Sequence, residues 1–249
     1  YWNFAKGLLG LFLILLIILI LIKRFVYFRP SGHFVNTTEP YKPINIRHLT
    51  GWLMESENAS KIVLLCHGNA GNVSYRESKM VAFKQLGYNV LCFDYSGYGR
   101  SKGTPNEPQL YADASDMVSY LLQKYDKEQI VLYGESMGAV VASFVALRYN
   151  IPTLILESPL PGIKKLIKHK FNRIPLISVI SSLFNDFNLE NYLKVYNGKC
   201  LILHSLTDEI IPYNLVKPLE KYSTQFITMQ GSHNNPVIDW NAVQVFIEQ

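Results

Sequence analysis

The fold of this chain is decided by the stretch Ile130-Val131-Leu132-Tyr133-Gly134-Glu135-Ser136-Met137-Gly138-Ala139-Val140-Val141-Ala142. An apolar, β-branched run that stops at a glycine is typical of a buried strand, and the apolar, alanine-rich run that follows is typical of a helix. Between them Ser136 lies at the apex of a tight turn, for which Gly134 and Gly138 leave space. The pattern predicts that the serine hydroxyl is exposed above a sheet, with the N-terminus of a helix directed at any negative charge that forms there.

Strand-like and helix-like segments alternate along the chain from residue 44 onward. The predicted strands are 44–48, 51–54, 62–66, 89–93, 129–133, 153–156, 200–204 and 226–229. The predicted helices are 74–86, 110–125, the segment after Ser136, and 237–248. This alternation predicts an α/β fold, in which a mainly parallel sheet carries helices on both faces behind a leading antiparallel pair. Functional sites in such sheets lie at the carboxyl ends of the strands.

Three polar residues follow predicted strands at the points where those strands end. Ser136 comes first, Asp208 follows the strand that ends at His204, and His233 follows the last strand. The chain order serine, aspartate, histidine is that of hydrolases with a nucleophile elbow. We therefore expect Ser136 to be a nucleophile, His233 its base, and Asp208 the acid that holds the imidazole in the required tautomer. Glu209, which adjoins Asp208, is the alternative acid.

The oxyanion of an acyl-transfer reaction needs hydrogen-bond donors that are already in place. The N–H of Met137, directly after the serine, is one expected donor, and the backbone N–H of Asn69 is the other. Among the remaining candidates, we expect His67 to brace the loop that contains Asn69, His204 to be a packed core histidine, and Asp94 to form a local Asx-type turn. No ligand spacing indicates a metal, and no motif indicates a cofactor.

Three motifs together carry a resemblance to a known family. They are the elbow, Asp94-Tyr95-Ser96-Gly97-Tyr98-Gly99, and His67-Gly68-Asn69-Ala70-Gly71-Asn72. From Ile44 to its C-terminus the chain resembles the α/β-hydrolase superfamily and, within it, the membrane-anchored α/β-hydrolase-domain serine hydrolases related to the Bem protein group. The resemblance implies an α/β-hydrolase fold and a Ser-His-Asp hydrolase, and some members of the wider group remove acyl chains from cysteine thioesters on proteins. Ser205 stands where the family usually has glycine and Ala139 where a second glycine is frequent, which bears on subfamily and pocket shape.

The run from Leu8 to Ile22 consists almost entirely of leucine, isoleucine and phenylalanine. As a helix it would reach about 22 Å, short of the roughly 30 Å hydrocarbon layer of a bilayer, and flanking aromatic and basic residues make up the difference. A cleaved signal peptide is the alternative, but no small-residue cleavage pattern follows Ile22. The sequence therefore predicts an N-terminal transmembrane anchor over residues 1–29, a linker over 30–43 and a hydrolase domain over 44–249.

Charge and cysteine content limit the class of partner and the compartment. The net charge is +5 and the basic residues form no long block, so nucleic-acid binding is not indicated. Lys23, Arg24 and Arg29 outnumber Lys6 around the apolar run, which favours a cytoplasmic catalytic domain. Three cysteines in apolar runs indicate buried thiols and no disulfide framework. Three Asn-x-Ser/Thr sequences would matter only on a eukaryotic secretory route, and nothing in the sequence indicates an oligomeric state.

Residues 159–196 interrupt the sheet pattern with a segment that is both basic and apolar. This insertion predicts a small lid over the active site. Two environments are open for it: contact with anionic headgroups at a membrane surface, or solvent, with the apolar face on the domain.

These features together predict a single-pass, membrane-anchored serine hydrolase without a cofactor. Its expected reaction is cleavage of an ester or thioester bond in an acylated substrate, a lipid or an acylated protein, through an acyl-enzyme. The same three catalytic residues would serve an amidase or peptidase. A catalytically inert hydrolase fold that binds a partner at the membrane is a further alternative, against which the intact Ser-Asp-His set argues.

Overall fold

The computed structural model describes residues 6, 10, 13–20, 28–184 and 186–249 of the chain, and within them it contains one nine-stranded sheet. The strands of the described residues are β1 (Arg29–Pro30), β2 (Lys42–Ile46), β3 (Leu49–Met54), β4 (Ile62–Cys66), β5 (Ala70–Gly71), β6 (Asn89–Asp94), β7 (Ile130–Glu135), β8 (Thr153–Glu157), β9 (Lys199–Ser205), β10 (Gln225–Ser232) and β11 (Asn235–Val237). Strands β1 and β5 form a separate two-stranded sheet, and the other nine form the large one. The sheet order is β11-β10-β9-β8-β7-β4-β6-β3-β2. The six strands from β10 to β6 in this order are parallel, whereas β11, β3 and β2 pair antiparallel at the edges. The mainly parallel α/β sheet and its leading antiparallel pair are confirmed.

The helices alternate with these strands. They are α1 (Glu77–Gln85), α2 (Glu107–Leu121), α3 (Met137–Tyr149), α4 (Ile163–Lys170), α5 (Ile177–Ser181), α6 (Leu189–Leu193), α7 (Tyr213–Val216) and α8 (Trp240–Glu248). Short 3-10 helices cover Val73–Arg76, Lys127–Gln129 and Lys217–Tyr222.

Apolar cores cover both faces of the sheet, and the central strands are therefore buried along their whole length. Along β4 the residues alternate between these cores: Leu64 packs with residues of α2 and α3, whereas Val63 and Leu65 pack with residues of α1 and α8. Burial of both faces explains why these strands are continuous apolar runs rather than alternating polar and apolar residues. The site described below therefore lies on a sheet that is packed on both faces.

Helices α4, α5 and α6 lie between β8 and β9, within the segment 159–196 that was predicted as a lid. Ile167, Ile177 and Ile180 form a small apolar cluster of their own in this lid. Two residues of the N-terminal helical segment 13–20, Ile18 and Leu19, pack against that cluster.

Much of the predicted membrane anchor falls on residues 1–5, 7–9, 11–12 and 21–27, which lie outside the described residues. The described part of the chain contains no helix of the length and apolarity needed to cross a membrane. The anchor therefore stays a prediction. The segment 30–43, predicted as a linker, carries half of β1 and the start of β2, and β1 pairs in parallel with β5.

Candidate active site

The turn between β7 and α3 has the geometry that its sequence predicts. Ser136 has φ +54° and ψ −112°, a conformation that costs energy for a residue with a side chain. A Cβ atom on Gly134 would lie 2.4 Å from the Cα of Ala139, and one on Gly138 would lie 2.0 Å from the carbonyl oxygen of Cys66. Both glycines are therefore required by the close approach of α3 to β4 and β7. This packing holds the strained serine in place.

The side chains of Ser136, His233 and Asp208 come together from three different loops. The Nε2 atom of His233 lies 3.2 Å from the Oγ of Ser136, and its Nδ1 lies 2.7 Å from Oδ2 of Asp208. The other carboxylate oxygen of Asp208 accepts the N–H groups of Ile210, at 2.9 Å, and Ile211, at 2.7 Å. Such a chain of hydrogen bonds leaves Nε2 free to accept the serine proton.

The electrostatics of Asp208 suit the role of an ionised acid. Burial would raise the pKa of this carboxyl, but the hydrogen bond from His233 and the two backbone N–H groups hold its pKa below the ordinary value. The neighbouring Glu209 contacts a different part of the histidine, because its Oε2 accepts the backbone N–H of His233 at 3.1 Å. The imidazole therefore faces Asp208 and not the alternative acid.

Asn69 and Met137, the two expected oxyanion donors, both line the cavity that contains Ser136 and His233. His67 is fully buried, and its Nδ1 lies 2.7 Å from the carbonyl oxygen of Gly68, which can only accept. Burial, together with the charge of Arg76, lowers the pKa of His67 to about 3, so this ring is neutral and donates from Nδ1. His67 thus braces the loop, in keeping with the expectation for it.

The other two candidates are structural. The Nε2 of His204 lies 3.0 Å from the carbonyl oxygen of Ile211, and burial lowers the pKa of this ring. The Oδ1 of Asp94 accepts the N–H of Val73, 21 residues earlier in the chain, at 2.8 Å, and the carboxylate also accepts a backbone N–H of its own loop, that of Arg100; the Asx-type turn stays a prediction. The buried carboxylate therefore joins the end of β6 to the 3-10 helix before α1, which local sequence patterns do not reveal.

A cluster of four charged side chains lies directly beneath the elbow. Arg76 donates to Oε1 of Glu135 at 2.8 Å, and Lys79 donates to Oε2 of Glu135 at 2.6 Å and to Glu157 at 2.8 Å. Glu157 also accepts the hydroxyl of Tyr133. Burial would raise the pKa of Glu135, but the two cations lower it well below its ordinary value. The sequence analysis did not predict this cluster. The only sign of it in the sequence is that β7 and β8 each end in a glutamate, Glu135 and Glu157.

The cavity at the elbow has a volume of about 210 Å³ and two kinds of wall. Its polar wall includes Asn69, Arg76 and Glu135 beside Ser136 and His233. Its apolar wall consists of Phe28, Met137, Leu160, Ile163, Leu166, Phe187, Ile210 and Ile211. Phe28 and the adjacent Arg29 precede the predicted hydrolase domain, and sequence reasoning missed them as site residues. The described residues contain no group of three histidine, cysteine, aspartate or glutamate side chains that could hold a metal ion.

Comparison with known proteins identifies the fold of this chain. A family model for the alpha/beta hydrolase fold matches residues 61–163. An uncharacterized membrane protein of Saccharomyces cerevisiae is 31% identical over 219 residues, which cover 80% of this chain and 75% of the yeast protein. Lysophosphatidylserine lipase ABHD12 of Danio rerio is 30% identical over 200 residues, which cover 72% of this chain and 52% of the lipase. The esterase Pf2001 of Pyrococcus furiosus has the same fold, with a TM-score of 0.70 at 20% identity over 90% of this chain and 97% of the esterase.

Proposed function

Because the chain belongs to the α/β-hydrolase superfamily, we propose that it is a serine hydrolase that cleaves carboxylic ester or thioester bonds through an acyl-enzyme. The observation that carries the proposal is the hydrogen-bonded series Ser136, His233, Asp208 at the mouth of a largely apolar cavity. Esterases and a lipase among the similar proteins support the same class of substrate.

In the proposed reaction His233 Nε2 takes the proton of Ser136 while the serine oxygen attacks the substrate carbonyl carbon. The negative charge on the carbonyl oxygen is stabilised by the N–H groups of Met137 and Asn69 and by the N-terminus of α3. His233 then gives its proton to the departing alcohol or thiol as the carbon–oxygen or carbon–sulfur bond breaks. A water molecule, activated by the same histidine, hydrolyses the acyl-serine. Asp208 stabilises the imidazolium that forms in each half of the reaction.

The substrate is proposed to carry an apolar acyl group. Eight large apolar side chains line one wall of the cavity, and an acyl chain placed among them removes apolar surface from water, which is favourable by roughly 25 cal/mol for each Å² buried. The polar wall at Asn69 and Arg76 suits the part of the substrate that carries the scissile bond and the leaving group. Whether the enzyme prefers an ester, a thioester or an amide depends on the leaving group, because His233 must protonate that group as it departs.

We further propose that the protein is a single-pass membrane protein, with the catalytic domain on the cytoplasmic side and the lid at the bilayer surface. The yeast relative is a membrane protein. Helical residues 13–17 and 20 expose apolar side chains, and Ile18 and Leu19 of the same segment pack on the lid. Next to these contacts the lid itself exposes Leu176, Val179 and Leu183, and it bears basic residues suited to anionic headgroups. Acyl substrates would then enter the cavity from the lipid.

The test is covalent labelling of the full chain, purified in detergent, with a fluorophosphonate probe. We expect labelling of the wild type and none of Ser136→Ala or His233→Ala, with strongly reduced labelling of Asp208→Asn. Ser60→Ala, which removes an exposed serine elsewhere on the domain, is the matched control and should label like the wild type. A folded wild-type protein that does not react would contradict the proposal and favour a binding role. For a reactive protein, matched ester, thioester and amide substrates then establish the leaving group.

A further inference from the structure

Residues 28–39, here called the strap, run from the end of the predicted anchor across the oxyanion loop, residues 68–71. Strand β1 of the strap pairs in parallel with β5 of the loop, with Arg29 opposite Ala70 and Pro30 opposite Gly71. The N–H of Arg29 lies 3.3 Å from both the carbonyl oxygen and the Oδ1 of Asn69. The N–H of Ser31 donates to the carbonyl oxygen of Gly71 at 3.2 Å. The strap therefore binds the loop through backbone groups on either side of Ala70.

The rest of the strap is held by side chains of the domain. Asn72 is fully buried, and its Nδ2 donates to the carbonyl oxygens of Ser31, at 2.9 Å, and His33, at 2.8 Å. The N–H of Val35 donates to the hydroxyl of Ser74 at 3.0 Å. Glu77 accepts the N–H groups of Thr38, at 2.6 Å, and Glu39, at 2.9 Å. A segment with this many domain partners has a defined path over the loop.

The hydrogen bonds around Asn69 fix the two peptide planes that meet at its Cα. His67 holds the carbonyl of Gly68, and with it the plane that contains the N–H of Asn69, the proposed oxyanion donor. The plane after Asn69 is held by its carbonyl oxygen, which accepts the N–H of Arg29 and, at 2.9 Å, the hydroxyl of Tyr98. Arg76 holds the next carbonyl, that of Ala70, at 2.7 Å. The strap thus supplies one of the hydrogen bonds that set the direction of the Asn69 N–H.

We propose that the strap is a positioning element of the active site: it fixes the oxyanion loop, and Phe28 at its start closes the apolar side of the cavity. Phe28 lines the cavity and packs edge-on against Phe187 of the lid region, with ring centroids 6.1 Å apart. This inference rests on the proposed hydrolase function. Its consequence is that the segment joining the predicted anchor to the domain takes part in catalysis, through the loop, without touching the reacting atoms.

The test compares Arg29→Pro with Arg29→Ala in the full chain in detergent. Both variants lose the arginine side chain, but only proline also removes the N–H that donates to Asn69. Loss of an oxyanion donor costs about 100-fold to 1000-fold in rate, and a displaced donor costs less than an absent one. We expect kcat for a soluble short-chain ester to be at least about tenfold lower in Arg29→Pro than in Arg29→Ala. KM and the pH profile of the two variants should agree, because the serine, histidine and aspartate are untouched.

Equal kcat values for the two folded variants would overturn the inference while the labelling of the wild type still supported the hydrolase. A wild type that neither labels nor hydrolyses esters contradicts the hydrolase proposal, and the inference with it. If Arg29→Pro does not fold, as judged by its thermal unfolding, the pair Ser31→Pro and Ser31→Ala makes the same comparison at the bond to Gly71. A ratio of kcat near one in that pair overturns the inference in the same way.

Discussion

At the scale of single residues, Asp94 and His67 form a buried pair behind the oxyanion loop, and their pKa values are shifted in opposite directions. The Nε2 of His67 lies 3.9 Å from Oδ1 of Asp94. Burial raises the pKa of Asp94 from its ordinary 3.8 to about 6, against the hydrogen bond from the N–H of Val73. Burial lowers the pKa of His67 from 6.5 to about 3. Burial disfavours the charged form of both groups: the His67 ring stays neutral down to about pH 3, whereas Asp94 is ionised at neutral pH and gains its proton only below about pH 6.

The two shifts have opposite effects on the pH dependence of stability. Below pH 6.5 an unfolded chain protonates His67 but the folded chain does not, so acidification lowers the free energy of unfolding. Between pH 6 and pH 3.8 the folded chain protonates Asp94 but the unfolded chain does not, so acidification raises the free energy of unfolding. Each contribution changes by about 1.4 kcal/mol for each pH unit. In the window that they share, the two contributions cancel.

We therefore predict that Asp94→Asn steepens the loss of stability on acidification. The free energy of unfolding of the variant should fall, relative to the wild type, by an additional amount of about 1.4 kcal/mol for each pH unit between about pH 6 and pH 4. Urea unfolding at a series of pH values measures this slope, and a uniform offset between the two curves does not affect it. Parallel curves would show that Asp94 does not take up its proton in this window.

At the scale of elements, the charged cluster of Arg76, Lys79, Glu135 and Glu157 joins α1 to the carboxyl ends of β7 and β8. Lys79 is central because it donates to both carboxylates, and Glu135 directly precedes the nucleophile. Removing one partner of a buried ion pair leaves an uncompensated charge, which costs more than the pair itself contributes. The cluster therefore holds the elbow from below.

We predict that Lys79→Met lowers the free energy of unfolding by about 3–5 kcal/mol. Lys84→Met is the matched control on the same helix, because the Lys84 to Glu39 pair is more exposed than the Lys79 pairs and its loss should cost about 1 kcal/mol or less. Denaturant unfolding of the two variants gives the comparison. Similar losses for both would mean that the buried cluster contributes no more than a surface pair.

At the scale of the whole molecule, the site lies where the sheet, the lid and the N-terminal segments meet. Loops at the ends of the sheet strands present Ser136 and His233 to the cavity, with Asp208 behind His233. The lid contributes Ile163 and Leu166 to the cavity, and the strap contributes Phe28. The outer surface of the lid exposes Leu176, Val179 and Leu183 to 75%, 63% and 70%. Such a group of exposed apolar side chains beside basic residues is suited to a lipid surface.

We predict that replacing Leu176, Val179 and Leu183 together by serine impairs hydrolysis of membrane substrates selectively. Full burial of one such side chain is worth about 1.5–3 kcal/mol, so even partial insertion of three predicts a loss of at least about tenfold for a long-chain ester in anionic vesicles. Hydrolysis of a soluble short-chain ester should be unchanged. The matched control replaces the exposed Leu122 and Val245, on other surfaces, by serine. Equal losses on both substrates would mean that the lid residues shape the cavity rather than contact lipid.

The sequence by itself determined the features that depend on local pattern. Continuous apolar runs and their alternation with helical periods predicted the parallel sheet, and small residues around Ser136 predicted the elbow, because backbone geometry restricts which residues fit there. The chain order of Ser136, Asp208 and His233 predicted the three side chains that the fold brings together. The predicted anchor and its orientation stay predictions, since they fall largely outside the described residues.

Only the tertiary structure decided the contacts that support the site. Arg29 reaches a loop 40 residues later, Asp94 accepts from Val73, and Arg76 reaches Glu135 across 59 residues. Such contacts produce no periodic pattern in the sequence, because the residues around each partner would look the same whether or not the other partner were present. Their existence depends on which segments the sheet order brings side by side, and the sheet order results from packing of the whole chain.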